Sequence, residues 1–463
     1  MSLTRRWFGN SMVNLVGGLA TAGVNVLLPA VVAHHLSAES FAVWNLALQM
    51  VVYVNLLGLG LQTATARAVA HAADAGSDGT MRLPVIAHAA RSIARWAAGV
   101  ALVLVVLLVA AYPLLFPGVS PALLEDFRVT LALFGLAAAL QILAQPDMGL
   151  FQGLHRNAVF VGVQMAVRLL TVLLVWLGVR TQQPLVVLAV LMAGATALLW
   201  PAMHGAVARA VPWATAIGAA ALDRACRREL LHYCGTLSVW SLSMLLVNSV
   251  GIVIVGRLDF VMAGPYAIAM TAASVLVGLL GAALSPLMTS AAALHASDVT
   301  RARLPVLLQR ATLGVAVALN LLVAGVTALH PQILRLWVGE SFVATAGPML
   351  VVLVGAHCLR NIAAPYSLML LATGLHQRAL VSAVLEGVAN LVASIMLGLA
   401  WGAVGVACGT LVGAVVGVAG TLALNTGRTP ELTPRPLAFS LRAVALPLLL
   451  FAPLHLYLLR PFL

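Results

Sequence analysis

Four charged side chains lie inside apolar runs that are long enough to cross a bilayer: Arg168, Asp147, Arg360 and Glu386. A charge near the bilayer centre costs at least about 2.5–3.5 kcal/mol, so such a residue is expected to have a partner or a function. A guanidinium can bind phosphate oxygens with two parallel hydrogen bonds, and a carboxyl in apolar surroundings can exchange a proton near neutral pH. These residue types predict a site for an anionic group.

Arg168 is the deepest of these charges. It lies eleven residues after Asn157, the expected start of its helix, which is roughly 16 Å at about 1.5 Å per residue. Gln164 lies one turn earlier on the same helix face. Two interpretations are open: Arg168 pairs with Asp147 on the preceding helix, or it points into a hydrated cavity between two lobes and binds an anionic group. We favour the second.

The second half of the chain has a comparable set. Arg360 has His357 one turn earlier, and we expect it to be a second cation of the same cavity. Glu386, Asp147 and His357 are the candidates for coupling to H+ or Na+, and no other cofactor is expected. Arg67 is a third candidate for the anionic group, at the rim of the cavity, although an arginine that only fixes the membrane topology would occupy the same position.

The composition predicts the environment of these residues. The chain is 62% hydrophobic and 8% charged, against roughly 25% charged residues in soluble domains. We therefore predict an all-α polytopic membrane protein. Thirteen apolar runs have sufficient length: 10–33, 41–66, 96–116, 128–151, 158–178, 185–208, 231–256, 261–292, 311–334, 346–372, 379–400, 402–424 and 443–459.

The arginines predict the orientation. With the N-terminus in the cytoplasm, 18 of the 25 basic residues fall on the cytoplasmic side, five fall on the other side, and Arg168 and Arg360 remain in spans. The positive-inside rule favours this arrangement, and it accounts for the net charge of +12 without a nucleic-acid partner. The four cysteines have no metal-ligand spacing, so we expect no metal site.

An internal repeat predicts two pseudo-symmetric lobes of six helices. GLHRN at 153–157 resembles GLHQR at 374–378, and RLPV at 82–85 recurs at 303–306, both with an offset of 221 residues. We expect an N-terminal lobe at 1–208, a cytoplasmic linker at 209–230, a C-terminal lobe at 231–425, and a segment with one or two extra helices at 426–463. Glycines between Gly402 and Gly420 predict close helix packing.

Several longer stretches resemble one family. They are GGLATAGVNVLLPAVVAHHLSAESFAVWNLALQMVVYVNLLGLGLQTATAR at 17–67, FQGLHRN at 151–157, VGRLDFVMAGPYAIA at 255–269, LSPLMTSAAA at 284–293 and ILRLWVGESF at 333–342. They are similar to the Wzx-type polysaccharide flippases, in the MOP superfamily that also contains the MATE drug exporters and the lipid II flippases. The resemblance implies a bacterial inner-membrane transporter, not an enzyme, that moves undecaprenyl-pyrophosphate-linked oligosaccharide for lipopolysaccharide O-antigen or exopolysaccharide synthesis.

The resemblance also directs attention to neutral polar residues. Asn14, Asn45, Gln49 and Asn248 are expected to contact sugar hydroxyls, while Arg168 binds the pyrophosphate. Membrane lipids, and a glycan polymerase or chain-length protein, are the other expected partners. The alternatives are a MATE-like drug or cation antiporter, which would favour acidic residues in the cavity, and a lipid II flippase, which is expected to have two further helices where this chain has one.

Overall fold

The computed structural model describes residues 3–58, 60–74, 76–214, 224–295, 301–373, 375 and 380–460. These residues are almost entirely helical, and no strand occurs among them. Ten of the described helices or helix pairs are long and apolar enough to cross a membrane. The protein is therefore a multi-pass membrane protein of the all-α class, as the sequence predicts.

The chain divides into two compact units, Met1–Leu242 and Ser243–Leu463. The helices of the first unit are α1 (Leu3–Ala33), α2 (Ala38–Leu56), α3 (Leu61–Asp74), α4 (Gly76–Leu115), α5 (Leu124–Gly153), α6 (Asn157–Arg180), α7 (Leu185–Ala197) and α8 (Leu199–Ala210), followed by α9 (Arg224–Asn248), which extends past the unit's end. Helix α5 is central, because it packs against α2, α3, α4, α7 and α8, and Phe134, Ile142 and Phe151 are buried along it.

The helices of the second unit are α10 (Val250–Leu258), α11 (Ala263–His295), α12 (Leu304–Trp337), α13 (Ser341–Asn361), α14 (Ala364–Ala372), α15 (Leu380–Gly420), α16 (Pro436–Phe439) and α17 (Leu446–Leu459). Here α13 is central and packs against α11, α12 and α15. The last helix, α17, packs against α12, where the His455 imidazole and the Asn320 carboxamide lie at hydrogen-bond distance, 3.0 Å.

The two units repeat the same packing plan. In the first unit α5 packs against α2 and α4, and α6 packs against α1; in the second, α13 packs against α11 and α12, and α15 packs against α10. These are equivalent positions in chain order, so the predicted pseudo-symmetry is confirmed at the level of helix packing within each unit. The additional helix α17 follows the repeat, as predicted.

Helix α15 contains two of the predicted spans, 379–400 and 402–424. They meet at Trp401 and Gly402, where Gly402 has φ 61° and ψ −142°, a conformation open essentially only to glycine. The two arms then pack closely: a Cβ at Gly413 would lie 2.6 Å from the Asn390 Cβ. The predicted close packing of the glycine-rich stretch is thus confirmed.

The other spans agree with the prediction to different degrees. The third span begins at Arg82, well before the predicted residue 96. The predicted span 10–33 falls within α1, and the predicted span 231–256 falls on α9 and α10. Among the described residues of these two spans, only Ala20–Ala33 forms an apolar helix, and it is shorter than a full membrane span. Residues 215–223 of the predicted linker and residues 376–379 of the second repeat lie outside the described residues, and the domain boundaries stay a prediction.

Candidate functional site

A polar pocket of about 300 Å³ lies within the first unit. It is formed where α2, α3, α5, α6, α7 and α8 meet. Its lining residues are Asn55, Gln62, Gln141, Gln145, Met148, Gln164, Val167, Arg168, Thr171, Thr196 and Leu199. We call this site the glutamine pocket, because four of its lining residues are glutamines.

Helical periodicity places these side chains together. Gln141 and Gln145 are one turn apart on α5, and Gln164, Arg168 and Thr171 follow at intervals of four and three residues on α6. Residues at these intervals share one helix face. Each of the two helices therefore presents a polar stripe to the pocket.

A break in the second span supplies the remaining wall. The predicted span 41–66 is two helices, because α2 ends at Leu56 and α3 begins at Leu61. Asn55 and Gln62, on the two sides of this break, both line the pocket. Gln62 also donates a hydrogen bond to the Gln152 carboxamide at 3.2 Å. The break thus brings two further amides to the site.

Arg168 is the cation of the glutamine pocket. Its guanidinium donates a hydrogen bond to the Thr21 hydroxyl of α1, and Thr21 in turn donates to the Gly17 carbonyl at 2.7 Å. No described carboxylate forms an ion pair with Arg168, and none of the described lining residues is acidic. The guanidinium keeps further N–H donors, and no carboxylate of the described residues neutralises its charge.

Asp147 does not pair with Arg168. The interpretation of Arg168 and Asp147 as an ion pair between neighbouring helices is therefore wrong. The Asp147 Oδ1 accepts hydrogen bonds from Arg91 Nη2 at 2.6 Å and Nε at 3.0 Å, and its Oδ2 lies 3.1 Å from His204 Nδ1. Arg91 also donates to the Ala214 carbonyl. Asp147 is 1% exposed. This network joins α4, α5 and α8, and its role in coupling stays a prediction.

Arg91 was not predicted as a site residue, for a geometric reason. The apolar run 96–116 suggested a helix that begins after Arg91, whereas α4 begins at Gly76 and the span at Arg82. Arg91 is therefore inside the span, facing Asp147. The signal that could have found it is the need of a deeply placed aspartate for a cationic partner on a neighbouring helix.

The second unit contains a buried charged cluster. Arg360 on α13 pairs with Glu386 on α15 through its Nε, and its Nη1 lies 3.3 Å from the Asn248 Oδ1 and 3.2 Å from the His357 Nδ1. The structure thus brings four of the predicted site residues together. The Arg360 side chain is 14% exposed and that of Glu386 is 9% exposed.

The geometry of this cluster defines the state of His357. Its Nδ1 faces an N–H group of Arg360, so Nδ1 acts as the acceptor and the ring proton lies on Nε2. His357 Nε2 is buried without a described partner, as is Arg360 Nη2. The role of this cluster in coupling stays a prediction.

The other predicted residues lie elsewhere. The Asn45 amide donates to the Phe41 carbonyl of its own helix at 2.7 Å, and Gln49, also on α2, hydrogen-bonds Tyr53. Asn14 lies in α1, and its side chain lies outside the described ones. Arg67 lines a different cavity of the first unit. Asn45, Gln49 and Arg67 are not among the described lining residues of the glutamine pocket, and the roles assigned to all four residues stay predictions.

The described residues contain no group of three or more His, Cys, Asp or Glu side chains arranged to hold a metal ion. None of the four cysteines forms a disulfide. The chemistry that the glutamine pocket offers is therefore that of hydrogen bonds and one fixed positive charge. Carboxamides both donate and accept, which suits hydroxyl-rich groups, and the guanidinium suits an anion.

Comparison with solved structures identifies the fold. The chain superposes on the lipid II flippase MurJ in an inward closed conformation, with a TM-score of 0.68, 14% identity, and coverage of 98% of this chain and 99% of that chain. It also superposes on an inward-facing multidrug resistance MATE transporter of the MOP superfamily, with a TM-score of 0.65, 16% identity, and coverage of 91% and 98%. For the eukaryotic MATE transporter AtDTX14 the TM-score is 0.63 and the identity is 14%, with coverage of 95% of this chain and 99% of that chain.

These likenesses define the class of fold: the chain has the all-α fold that the MATE transporters and the lipid II flippase MurJ share. No protein-family model matches the sequence, and no curated protein matches it. The fold is therefore shown, and the substrate has to be argued from the residues of the site.

Proposed function

We propose that the protein is an alternating-access flippase that moves an anionic, undecaprenyl-pyrophosphate-linked oligosaccharide from the cytoplasmic to the periplasmic leaflet of the bacterial inner membrane. The product would serve the synthesis of a surface polysaccharide such as O-antigen or exopolysaccharide. Membrane lipids surround it, and a glycan polymerase or chain-length protein would receive the product.

The glutamine pocket carries this proposal. Among its described lining residues the one formal charge is the guanidinium of Arg168, and the other polar groups are amides and hydroxyls. A guanidinium without a carboxylate partner attracts a phosphate and can bind two of its oxygens at once. The amides of Gln141, Gln145 and Gln164 supply donors and acceptors for sugar hydroxyls. The apolar lipid tail would remain in the bilayer.

The pocket is less suited to a cationic drug. Such a substrate would need a carboxylate, and none of the described lining residues is acidic. The buried acids Asp147 and Glu386 are paired with Arg91 and Arg360. The fold alone does not separate a drug antiporter from a flippase, since both kinds of transporter have it. The charge of the pocket favours the flippase, and a lipid II flippase remains a variant of the same proposal.

A vesicle assay separates these functions. Purified protein is reconstituted with an undecaprenyl-pyrophosphate-linked oligosaccharide, and the fraction exposed to an external lectin is measured; a parallel arm measures efflux of a cationic dye. We expect Arg168→Ala to slow glycan exposure at least about tenfold, Arg168→Lys to retain part of the rate, and Arg180→Ala, a control on the same helix outside the pocket, to match wild type. Dye efflux without glycan movement would overturn the proposal.

Coupling is proposed for Glu386, because it is a buried carboxyl with one described charged partner, Arg360. The same vesicles are then given an H+ or Na+ gradient. In the Glu386→Gln variant the rate of glycan exposure should no longer depend on the gradient, while exposure without a gradient should continue. Glu340→Gln is the control, since Glu340 is exposed and pairs with Arg335 outside this cluster. A gradient dependence that survives Glu386→Gln would remove Glu386 from the coupling path.

A further inference from the structure

A second cavity of the first unit lies apart from the glutamine pocket. It has a volume of about 590 Å³ and lies between α3, α4 and the first turns of α9. Its lining includes apolar side chains such as Ile86 and Leu230, and its polar and aromatic side chains are Arg67, His71, Arg82, Glu229, His232 and Tyr233. No residue lines both cavities. The charge distribution of the sequence predicts that this end of the unit faces the cytoplasm.

The cavity has an excess of positive charge. Arg67 and Arg82 contribute two guanidinium groups, whereas Glu229 is the one described carboxylate of the lining. Among the described residues, neither arginine forms an ion pair. Two imidazoles, of His71 and His232, also line the cavity. A cavity of this composition is suited to an anion with several oxygens.

Arg67 is held in place by an aromatic ring. Its Cζ lies 4.7 Å from the centroid of the Tyr233 ring. A guanidinium stacked on an aromatic face is fixed in orientation, and its N–H groups point outward along its edge. The stacking therefore orients one cation of the cavity before any ligand arrives, which lowers the entropy cost of binding.

We propose that this cavity is a binding site for a phosphate or pyrophosphate group, gripped between Arg67 and Arg82. The group would belong either to an anionic lipid, whose chains lie in the bilayer around these helices, or to a soluble phosphate compound. The site does not depend on the transport function proposed above, because its residues and its ligand contacts are separate from the glutamine pocket. The carboxylate of Glu229 repels an anionic ligand and so lowers its affinity for the cavity.

The test measures binding to the full-length protein, purified in a neutral detergent. Inorganic pyrophosphate is titrated calorimetrically, and retention of phosphatidic acid against phosphatidylcholine is counted by native mass spectrometry. Arg67→Gln and Arg82→Gln should each weaken binding about tenfold, whereas Glu229→Gln should strengthen it about two- to fivefold. Arg209→Gln removes the same charge from an exposed residue outside the lining and should have no effect.

The two arms identify the source of the group. Calorimetric binding that Arg67→Gln and Arg82→Gln weaken indicates a soluble phosphate, and selective lipid retention that they abolish indicates a lipid headgroup. Arg168→Gln should preserve either signal, so that failure of the flippase proposal and failure of this one can be told apart. Absence of both signals, or an equal loss in Arg209→Gln and Arg82→Gln, would overturn the proposal.

Discussion

At the residue scale, the two deep charges of the first unit have different tasks. Arg168 lines a pocket and bonds only a neutral hydroxyl, from Thr21, among the described residues. Asp147 has both oxygens engaged and is 1% exposed. The positive charge of Arg168 is therefore available to a ligand, whereas the negative charge of Asp147 joins α5 to α4 and α8.

The Asp147 network predicts a stability effect. Arg91→Ala would leave Asp147 as a buried carboxylate without its cation, and removal of one partner of a buried pair costs about 3–5 kcal/mol. Arg128→Ala is the matched control, since Arg128 and Glu125 pair at 2.6 Å with both side chains more than half exposed, and such pairs contribute about 0–1 kcal/mol. We expect Arg91→Ala to lower the midpoint of thermal unfolding in detergent clearly more than Arg128→Ala. Equal shifts would contradict a stabilising role for the network.

At the element scale, the spans were predictable but their breaks were not. Long apolar runs identify membrane helices because an unpaired backbone polar group cannot face lipid. The break between α2 and α3 brings Asn55 and Gln62 to the glutamine pocket, yet nothing in the hydropathy of 41–66 indicates it. The pairing of Asp147 with Arg91 was missed for a related reason, since it depends on where α4 begins and on its rotation.

The hairpin within α15 predicts an intolerance of larger side chains. Gly413 faces the Asn390 Cβ at a distance that leaves no room for a methyl group. Gly413→Val should therefore destabilise the protein by about 1–3 kcal/mol or more through overpacking. Gly314→Val on α12 is the control, because nothing lies within 4 Å of a Cβ at Gly314.

Thermal unfolding of the two glycine variants in one detergent measures this difference. The account of α15 as a tightly packed hairpin predicts a large shift for Gly413→Val and a small one for Gly314→Val. Similar melting curves for the two variants would show that the close approach does not limit stability.

At the scale of the whole molecule, the repeat was readable from short matches with an offset of 221 residues. Each unit then repeats the plan of a central helix, α5 or α13, packed against equivalent neighbours. The fold was also expected from the resemblance of longer stretches, such as 17–67, to a known transporter family, and solved structures with that fold match the chain. The site was predictable only in part: Arg168 and Gln164 were expected in it, whereas Gln62, Thr171 and Thr196 needed the three-dimensional arrangement to be recognised.

The most direct test of a flippase that binds its substrate through Arg168 is the sidedness of lipid-linked oligosaccharide in cells that lack this chain. The same cells are complemented with wild type, Arg168→Ala or Arg180→Ala at equal protein levels. We expect the oligosaccharide to accumulate on the cytoplasmic leaflet and surface glycan to be lost, with relief by wild type and Arg180→Ala but not by Arg168→Ala. Unchanged sidedness in cells without the chain, or full relief by Arg168→Ala, would contradict a flippase that binds its substrate through Arg168.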